Sequence, residues 1–311
     1  MLDIKFIREN AKQVKAAAKN KNIKVDIDEL LRLDNERKEL QQKIDELRTQ
    51  RNKLAEAGRG SKPTAKQMAE GKKIKEEISG LGEEYKNIDG QYQELMWLVP
   101  QIPSLETPIG KDETGNQELK RWGKIPKFNF PLKDHIELGK TLDIIDLERG
   151  VKVHGFRGYF LKNEGALLAM AIVQHAIQKM VKHGFVFMIN PVLVKDFALY
   201  GSGHFPFARD EVFQIANNDN GDKMYLAGTA EPALLAYYAG EKLKEADLPI
   251  KLCGFSACFR SEVGSYGKDT KGLYRVNEFM KVEQVVLCAN NYKISMKFFT
   301  EMLAIAEEIL Q

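Results

Sequence analysis

Apolar residues recur at intervals of three and four through two long segments in the first third of the chain. In the first segment the main apolar positions, seven residues apart, are Leu33, Leu40, Leu47 and Leu54, and the positions between them hold Leu30, Arg37, Ile44 and Arg51. The second segment repeats the pattern with Ile74, Leu81, Ile88 and Leu95, interleaved by Ile78, Tyr85 and Tyr92. This heptad spacing predicts two helices, each with one apolar seam.

The sequence between the two segments predicts how the helices pack. Residues 58–63 read Gly-Arg-Gly-Ser-Lys-Pro, a cluster that breaks a helix. Two helices with apolar seams and a short connection fold back on each other. We therefore predict an antiparallel hairpin over about residues 27–98, which extends ~45 Å at 1.5 Å per residue. A short separate helix is expected over residues 4–18, near the base of the hairpin.

A connection rich in proline follows the second heptad. Pro100, Pro103 and Pro108 precede a glycine-containing stretch at 110–115, and together they restrict the backbone. This composition predicts a domain boundary. The expected organisation is a helical arm at 1–105, a linker at 106–127 and a second domain at 128–311.

The second domain mixes amphipathic helices with short strands. Helices are expected at 131–142 and at 164–183, where Gly184 provides a C-cap. Strands are expected at 185–189, 212–215, 223–226, 251–260, 274–279 and 282–288. Short strands with long irregular insertions predict an α+β fold, an antiparallel sheet with flanking helices.

Composition and short motifs exclude several classes of protein for this chain. No apolar run reaches ~18 residues, so no transmembrane helix or membrane partner is expected. The charged N-terminus lacks the apolar core of a secretory signal. The odd number of cysteines, 3, fits a reducing cytoplasm, and their spacing does not support a zinc site. Neither G-x-G-x-x-G nor G-x-x-x-x-G-K-[ST] occurs, so no Rossmann or P-loop nucleotide site is expected.

Positive charge is concentrated near the turn of the predicted hairpin. The net charge of the chain is +3, but residues 48–75 carry nine basic side chains against Glu56 and Glu70, a local net of +7. Such a field attracts a polyanion. The hairpin could otherwise be a spacer or a dimerisation element, and the two arginines on the seam, Arg37 and Arg51, could either extend to solvent at its edge or contact RNA.

Two motifs in the second domain carry candidate chemistry. Residues 258–262 read Cys-Phe-Arg-Ser-Glu, and after a glycine-rich loop (Gly264, Gly267, Gly272) residues 272–283 read Gly-Leu-Tyr-Arg-Val-Asn-Glu-Phe-Met-Lys-Val-Glu. Upstream, residues 228–231 read Gly-Thr-Ala-Glu. By themselves, Arg260 and Glu262 could form an ion pair on a sheet surface, and Glu231 could be an ordinary acidic residue at a helix N-terminus.

In combination, these segments resemble the seryl-tRNA synthetases of the bacterial type, which are class II aminoacyl-tRNA synthetases. Residues 258–283 resemble motif 2, and 228–231 resemble the T-x-E loop that recognises serine. Residues 164–191 resemble motif 1, the element of the dimer interface, and the hairpin resembles the tRNA-binding arm. The resemblance covers essentially the whole chain, and these segments occur in the same order as in the family.

The resemblance implies an activity, its substrates and its partners. ATP activates L-serine to seryl-adenylate, which then acylates tRNA(Ser), with tRNA(Sec) as a second candidate, and Mg²⁺ bridges the ATP phosphates. The implied protein is a cytoplasmic homodimer joined through 164–191. A non-catalytic paralogue that binds tRNA or a carrier protein remains an alternative, as does a coiled-coil interaction protein whose second domain only dimerises.

The resemblance also assigns roles to individual residues. Arg260 and Arg275 are the implied catalytic residues, meeting the α-phosphate and the outer phosphates. The implied serine-binding residues are Thr229, Ala230, Glu231, Arg260 and Glu283. The implied ATP-binding residues are Arg260, Ser261, Glu262, Arg275, Val276 and Phe279. The expected tRNA-binding residues, in the basic segment, are Arg48, Arg51, Lys53, Arg59 and Lys62, and no metal ligand is expected within the chain.

The chain departs from the family pattern at two places. Asn277-Glu278 precedes the phenylalanine of motif 2, where the family usually has His-Gln. The sequence also ends at Gln311, before motif 3 and its ATP-binding arginine. We therefore expect a fragment or a truncated homologue, with little adenylation by residues 1–311 alone.

Overall fold

The computed structural model describes residues 2–57, 64–217, 221–263 and 271–311. The chain divides into two compact units, Met1–Gly123 and Lys124–Gln311. Among the described helices, none is both long enough and apolar enough to cross a membrane.

The described part of the first unit is helical. Its helices are α1 (Ile4–Glu9), α2 (Ala11–Asn20), α3 (Ile27–Ala57) and α4 (Ala65–Leu98). The single helix predicted over residues 4–18 is wrong, because the chain breaks at Asn10. That residue leaves helical geometry (φ −123°, ψ 32°), and its side-chain amide donates to the Phe6 carbonyl at 3.0 Å. Asparagine often ends a helix in this way because its side chain competes with backbone hydrogen bonds.

Helices α3 and α4 form the predicted hairpin. Leu54 lies 3.7 Å from the position that a Cβ on Gly71 would take, whereas Arg37 pairs with Asp89, so the two helices are antiparallel. The buried seam comprises Leu30, Leu33, Leu40 and Ile44 on α3 and Ile74, Ile88, Tyr92 and Met96 on α4. Leu47 and Leu54 are only half-buried, so burial decreases along α3 away from the base, whereas Ile74 of α4 stays buried. The breaker at 58–63 lies outside the described residues.

A charged cluster lies at the base of the hairpin. Asp34 is completely buried and forms ion pairs with Arg8 of α1, with Lys38 at 2.6 Å and with Arg37 at 3.3 Å. Burial alone would raise the pKa of Asp34, but hydrogen bonds from Lys38, Arg8 and Arg37 outweigh it and lower the pKa. Arg37 also stacks over the Tyr92 ring at 4.0 Å. Arg37 is therefore part of the hairpin's own packing.

The second unit contains short strands and helices. Its helices are α5 (His135–Thr141), α6 (Leu147–His154), α7 (Asn163–Lys182), α8 (Asp196–Gly201), α9 (Glu231–Ala236) and α10 (Tyr292–Leu310). Its strands are β1 (Ile145–Asp146), β2 (Phe160–Leu161), β3 (Val186–Ile189), β4 (Leu193–Lys195), β5 (Met224–Leu226), β6 (Ile250–Phe259) and β7 (Glu278–Leu287). This content confirms the α+β class.

The main sheet has the strand order β3-β6-β7. Strands β6 and β7 are antiparallel over ten residue pairs, as predicted, but β3 is parallel to β6. The expectation of an antiparallel sheet is therefore wrong for β3. About sixty residues separate β3 from β6, enough for the crossover connection that parallel pairing requires.

Two other strand predictions differ from the structure. The strands expected at 274–279 and 282–288 are one continuous strand, β7, which begins at Glu278. Residues 212–215 contain only an isolated bridge, between Gln214 and Tyr225. β4 and β5 pair with each other in a separate small sheet, and so do β1 and β2.

The two faces of the main sheet have different neighbours. Met180 of α7 and Ile305 of α10 pack with Cys253 on one face. Leu234 of α9 and Ala230 pack with Leu252 and Val285 on the other. Because side chains alternate along a strand, residues 279, 281 and 283 of β7 share the second face.

Candidate active site

The face of β7 away from α7 and α10 carries Phe279, Lys281 and Glu283. Glu283 lies opposite Gly254 of β6. A Cβ on Gly254 would lie 2.8 Å from Asn190 Oδ1 and 3.1 Å from Ala230 Cβ. The missing side chain therefore allows the loop before α9 to lie directly on the sheet.

That close approach brings Thr229 to Glu283. The Thr229 hydroxyl donates to Glu283 Oε2 at 2.6 Å, and the Glu231 backbone N–H donates to Thr229 Oγ1 at 3.3 Å. Lys281 Nζ lies 2.5 Å from the same carboxylate oxygen of Glu283. The structure thus brings Thr229 and Glu231 next to Glu283, although Thr229 and Glu283 are 54 residues apart in the sequence. Ala230 is completely buried beneath them.

Arg260 connects this group to the aromatic residue of the motif. It follows the end of β6, and its Nε donates to the Gly228 carbonyl at 3.3 Å. Its guanidinium carbon lies 5.2 Å from the centre of the Phe279 ring, within the range of a cation–π contact. The side chain is exposed, so an anion in solution can reach it.

Asn277 joins the ends of β6 and β7. Its amide nitrogen donates to the Arg260 carbonyl at 2.7 Å and lies 3.3 Å from the Ser261 carbonyl, while the Asn277 carbonyl accepts from the Arg260 N–H at 2.9 Å. The residue that departs from the family pattern is therefore buried and holds the Arg260 backbone in place. Val276, beside it, is also buried.

The donors of Ser261 are directed away from the group around Glu283. Its hydroxyl donates to the Asp210 carbonyl at 2.7 Å, and its N–H donates to the Glu211 carbonyl at 3.0 Å. These bonds attach the segment after β6 to residues 210–211. In this geometry Ser261 contributes to the site by fixing the backbone on either side of it.

Glu262 lies between two arginines. Its Oε2 is 3.3 Å from Arg275 Nη1 and 3.4 Å from Arg157 Nη1. Only 15% of the Glu262 side chain is exposed, and its backbone has a positive φ of 57°. Arg275 and Glu262 were predicted at the site from the motif. Arg157 was not, because it lies about a hundred residues upstream in no recognisable pattern.

The segment between the glycine-rich loop and β7 is attached to α5 and to the residue before it. His135 Nε2 accepts from the Leu273 N–H at 3.0 Å, and Lys271 pairs with Asp134 at 2.7 Å. The bond from Lys271 is the main reason that the pKa of Asp134 is lowered to about 2. Gly264 and Gly267 lie outside the described residues.

The remaining candidate chemistry in the described chain is limited. Burial raises the pKa of the Cys253 thiol to about 11 and also raises that of Cys258, which makes both poor nucleophiles. Within the described segments, no group of three or more His, Cys, Asp or Glu residues is arranged to hold a metal ion.

The described part of the basic segment and the motif 1 region both carry exposed side chains. Arg48 pairs with Asp45 at 3.2 Å on the surface of α3, and Arg51 and Lys53 are exposed further along that helix. Arg59 and Lys62 lie outside the described residues. In the motif 1 region, the exposed apolar side chains are Leu167, Leu168, Met170, Ile172, Val181, Val186, Phe187 and Ile189.

Comparison with known proteins gives consistent results over both units. A family model described as the seryl-tRNA synthetase N-terminal domain matches residues 1–103. A model of the class II tRNA synthetase core domain (G, H, P, S and T) matches residues 213–311. A serine–tRNA ligase from Deinococcus radiodurans is 39% identical over 313 residues, covering 100% of this chain and 73% of that protein.

Further relatives extend the comparison. A serine–tRNA ligase from Dictyoglomus turgidum is 38% identical over 317 residues, with 100% of this chain and 73% of that protein covered. The crystal structure of seryl-tRNA synthetase from Pyrococcus horikoshii complexed with ATP superposes with a TM-score of 0.82 at 32% identity. That match covers 100% of this chain and 74% of that one.

Proposed function

This chain belongs to the seryl-tRNA synthetase family, and we propose that it acts as a serine–tRNA ligase with the residues described above as its adenylation site. The activity is activation of L-serine with ATP and transfer of the seryl group to tRNA(Ser). The observation that carries the site assignment is the convergence of Thr229, Glu283 and Arg260 beside Phe279 on one face of the β6–β7 pair.

Serine is bound by the polar group on the sheet. The carboxylate of Glu231 and the Thr229 hydroxyl accept from the substrate ammonium group, and Glu283 accepts from the substrate hydroxyl. Ala230, which lies between Thr229 and Glu231 in the same loop, contributes through its backbone. Thr229 and Lys281 already contact Glu283, which restrains the carboxylate before substrate arrives. Alanine has no hydroxyl to donate to the half-buried Glu283, so the site loses one hydrogen bond with alanine and rejects it.

ATP is placed so that the serine carboxylate can attack its α-phosphorus. The attacking oxygen forms a bond to phosphorus as the bond to the bridging oxygen breaks, and pyrophosphate leaves with that electron pair. Arg260 spans the serine carboxylate and the α-phosphate with its planar donors, reducing their mutual repulsion. No nucleophile of the protein is required, so catalysis depends on positioning and charge stabilisation.

The rest of the nucleotide is held at the ends of β6 and β7. Phe279 provides an apolar face for the adenine ring, Val276 lies beside the base through its backbone, and Glu262 accepts from the 6-amino group. Ser261 fixes the backbone between Arg260 and Glu262, and Arg275 meets the outer phosphates. Mg²⁺ accompanies those phosphates. We assign no step to the ion, since the described residues do not form a ligand cluster for it.

The other assignments concern organisation and partners. We assign residues 1–105 to the tRNA-binding arm, 106–127 to a linker and 128–311 to the catalytic domain. The surface at 164–191 joins two copies in a homodimer, supported by its exposed apolar side chains. tRNA(Sec) is a second acceptor, and the cytoplasm is the expected location, supported by free cysteines.

The test is serine-dependent exchange of pyrophosphate into ATP by the full-length protein. We expect serine to support exchange at least about a hundredfold better than alanine or threonine. Glu283→Gln should abolish most of this activity, whereas Glu278→Gln, an exposed change on the same strand, should have little effect. Equal stimulation by serine, threonine and alanine would contradict the assignment.

A further inference from the structure

The turn between α6 and β2 contacts the ends of both long strands. His154 Nε2 lies 3.3 Å from Asn277 Oδ1, and the Tyr159 hydroxyl donates to the Glu278 carbonyl at 3.1 Å. Between these two residues, Arg157 reaches Glu262. One short segment thus supports the backbone that carries Arg260, Glu262 and Phe279.

Close packing fixes this turn against α6. A Cβ on Gly150 would lie 2.4 Å from Tyr159 Cα, and a Cβ on Gly158 would lie 2.5 Å from the Gly150 carbonyl oxygen. Arg157 itself has a positive φ of 75°, a conformation that non-glycine residues adopt only when their surroundings require it. The Arg157 side chain therefore starts from a rigid base.

The two arginines at Glu262 differ in exposure. Arg157 has only 7% of its side chain exposed, whereas Arg275 has 36% exposed. Arg275 is the one that can leave for the phosphates of ATP. When Arg275 leaves, the largely buried Glu262 still needs a cationic neighbour. Arg157 is buried and stays in place, so it provides that neighbour.

We propose that Arg157 is a positioning residue for recognition of the base: it holds the Glu262 carboxylate toward the 6-amino group of adenine while Arg275 moves to the phosphates. This inference rests on the proposed function, since it takes Glu262 and Phe279 as the adenine site. A carboxylate only accepts hydrogen bonds, so its orientation affects purines that carry a donor at position 6. Purine riboside triphosphate, which lacks that amino group, is insensitive to it.

The experiment compares ATP with purine riboside triphosphate in serine-dependent pyrophosphate exchange by the full-length protein. The unaltered protein should prefer ATP by about tenfold or more, the usual effect of a hydrogen bond to a charged group. Arg157→Met should reduce that preference to about threefold or less by raising the KM for ATP, with the KM for serine unchanged. Arg149→Met is the matched control, because Arg149 lies on α6 with 76% of its side chain exposed.

The outcomes separate this inference from the proposed function. If Arg157→Met does not fold, Arg157→Lys, which keeps a charge but loses the planar fork, must still reduce the preference at least about threefold. A folded variant that keeps the preference, or raises both KM values equally, overturns the role of Arg157 alone. An unaltered protein without serine-dependent exchange overturns the proposed function and this inference with it.

Discussion

At the scale of single residues, Asp34 is the most constrained charge in the first unit. It is completely buried, yet three cations reach it from α1 and α3. A buried carboxylate is tolerated only when it is paired, and removing its charge takes this partner from all three cations, of which Arg37 keeps Asp89. The base of the arm is therefore held by an ionic cluster as well as by the apolar seam.

We predict that Asp34→Asn lowers the free energy of unfolding by about 1–3 kcal/mol at neutral pH, since the paired cations are partly exposed and screened. Because the folded pKa of Asp34 is lowered, its contribution is present above the unfolded value of 3.8 and is lost as pH falls through the folded pKa. Urea unfolding at pH 7 and at decreasing pH below 4 measures the difference.

Asp28→Asn is the control, because Asp28 lies on the same helix with 76% of its side chain exposed. It should change stability by less than about 0.5 kcal/mol. A difference between Asp34→Asn and the unaltered protein that stays constant with pH would show that Asp34 acts through packing and not through charge.

Sequence reasoning located the residues that lie in contiguous motifs but not those that join them in space. Arg260, Glu262 and Glu283 could be proposed from the sequence because motif 2 is continuous along the chain. Lys281 could also have been predicted at the site, because residues two apart on a strand lie on the same face and Lys281 is two residues before Glu283. Arg157 and Asp34 were not, because their importance depends on contacts with elements distant in sequence.

At the scale of elements, the helical arm combines a buried base with a basic far end. Seam residues are buried near the base and half-exposed at Leu47 and Leu54. Arg51 and Lys53 point to solvent on the outer part of α3. Energy for binding a polyanion must come from this exposed surface, and phosphate contacts fix position without reading bases.

We predict that the basic segment binds tRNA(Ser) through phosphates. Changing Arg51, Lys53, Arg59 and Lys62 to Ala should weaken binding strongly and remove a salt dependence with a slope of roughly −3 to −4 in log K against log salt. Labelled tRNA(Ser) titrated across a salt series measures both. Trimming the variable arm of the tRNA should cost about as much, without adding to the loss.

The matched control changes four exposed basic residues at the base of the arm to Ala: Lys5, Lys12, Lys19 and Lys24. It removes the same charge and should leave most of the affinity and of the salt slope. If both variants weaken binding equally, the basic segment is not the binding site. If the first variant leaves the affinity and the salt slope unchanged, the arm is a spacer.

Elements with local signals were predicted better than elements whose partners are distant. The hairpin followed from the heptad and the breaker, and α7 and β6 were predicted to within about one residue. The parallel pairing of β3 with β6 depends on a long crossover that no local pattern reveals. β7 was divided in the prediction because Lys281 interrupts its apolar run, although a strand with one polar face accommodates it.

At the scale of the whole molecule, residues 164–191 carry eight large apolar side chains that are exposed in a single copy. They include Leu168, Ile172 and Ile189, of which Ile189 is 80% exposed. Where exposed apolar side chains form a patch, they mark interaction sites. A symmetric pair of copies would cover the same patch on each.

We predict that Leu168→Glu with Ile172→Glu, one helical turn apart on α7, converts the proposed dimer of the full-length protein to monomers, because charge cannot be buried there unpaired. Analytical ultracentrifugation measures the mass. Leu119→Glu with Ile125→Glu adds the same charge at exposed apolar positions elsewhere and should leave the dimer intact. A monomeric unaltered protein, or a dimer that tolerates the α7 changes, would contradict the assignment.

The uninterrupted pairing of β7 with β6 has a consequence for how this site can change. Phe279 and Glu283 are four residues apart on one face, about 13 Å along the strand, and ten residue pairs fix the register. The strand thus sets a fixed distance between the proposed base and amino-acid positions. Inserting or deleting one residue between them would turn Glu283 toward α10. Altered substrate choice, in nature or in the laboratory, must therefore come from exchanging side chains at constant strand length.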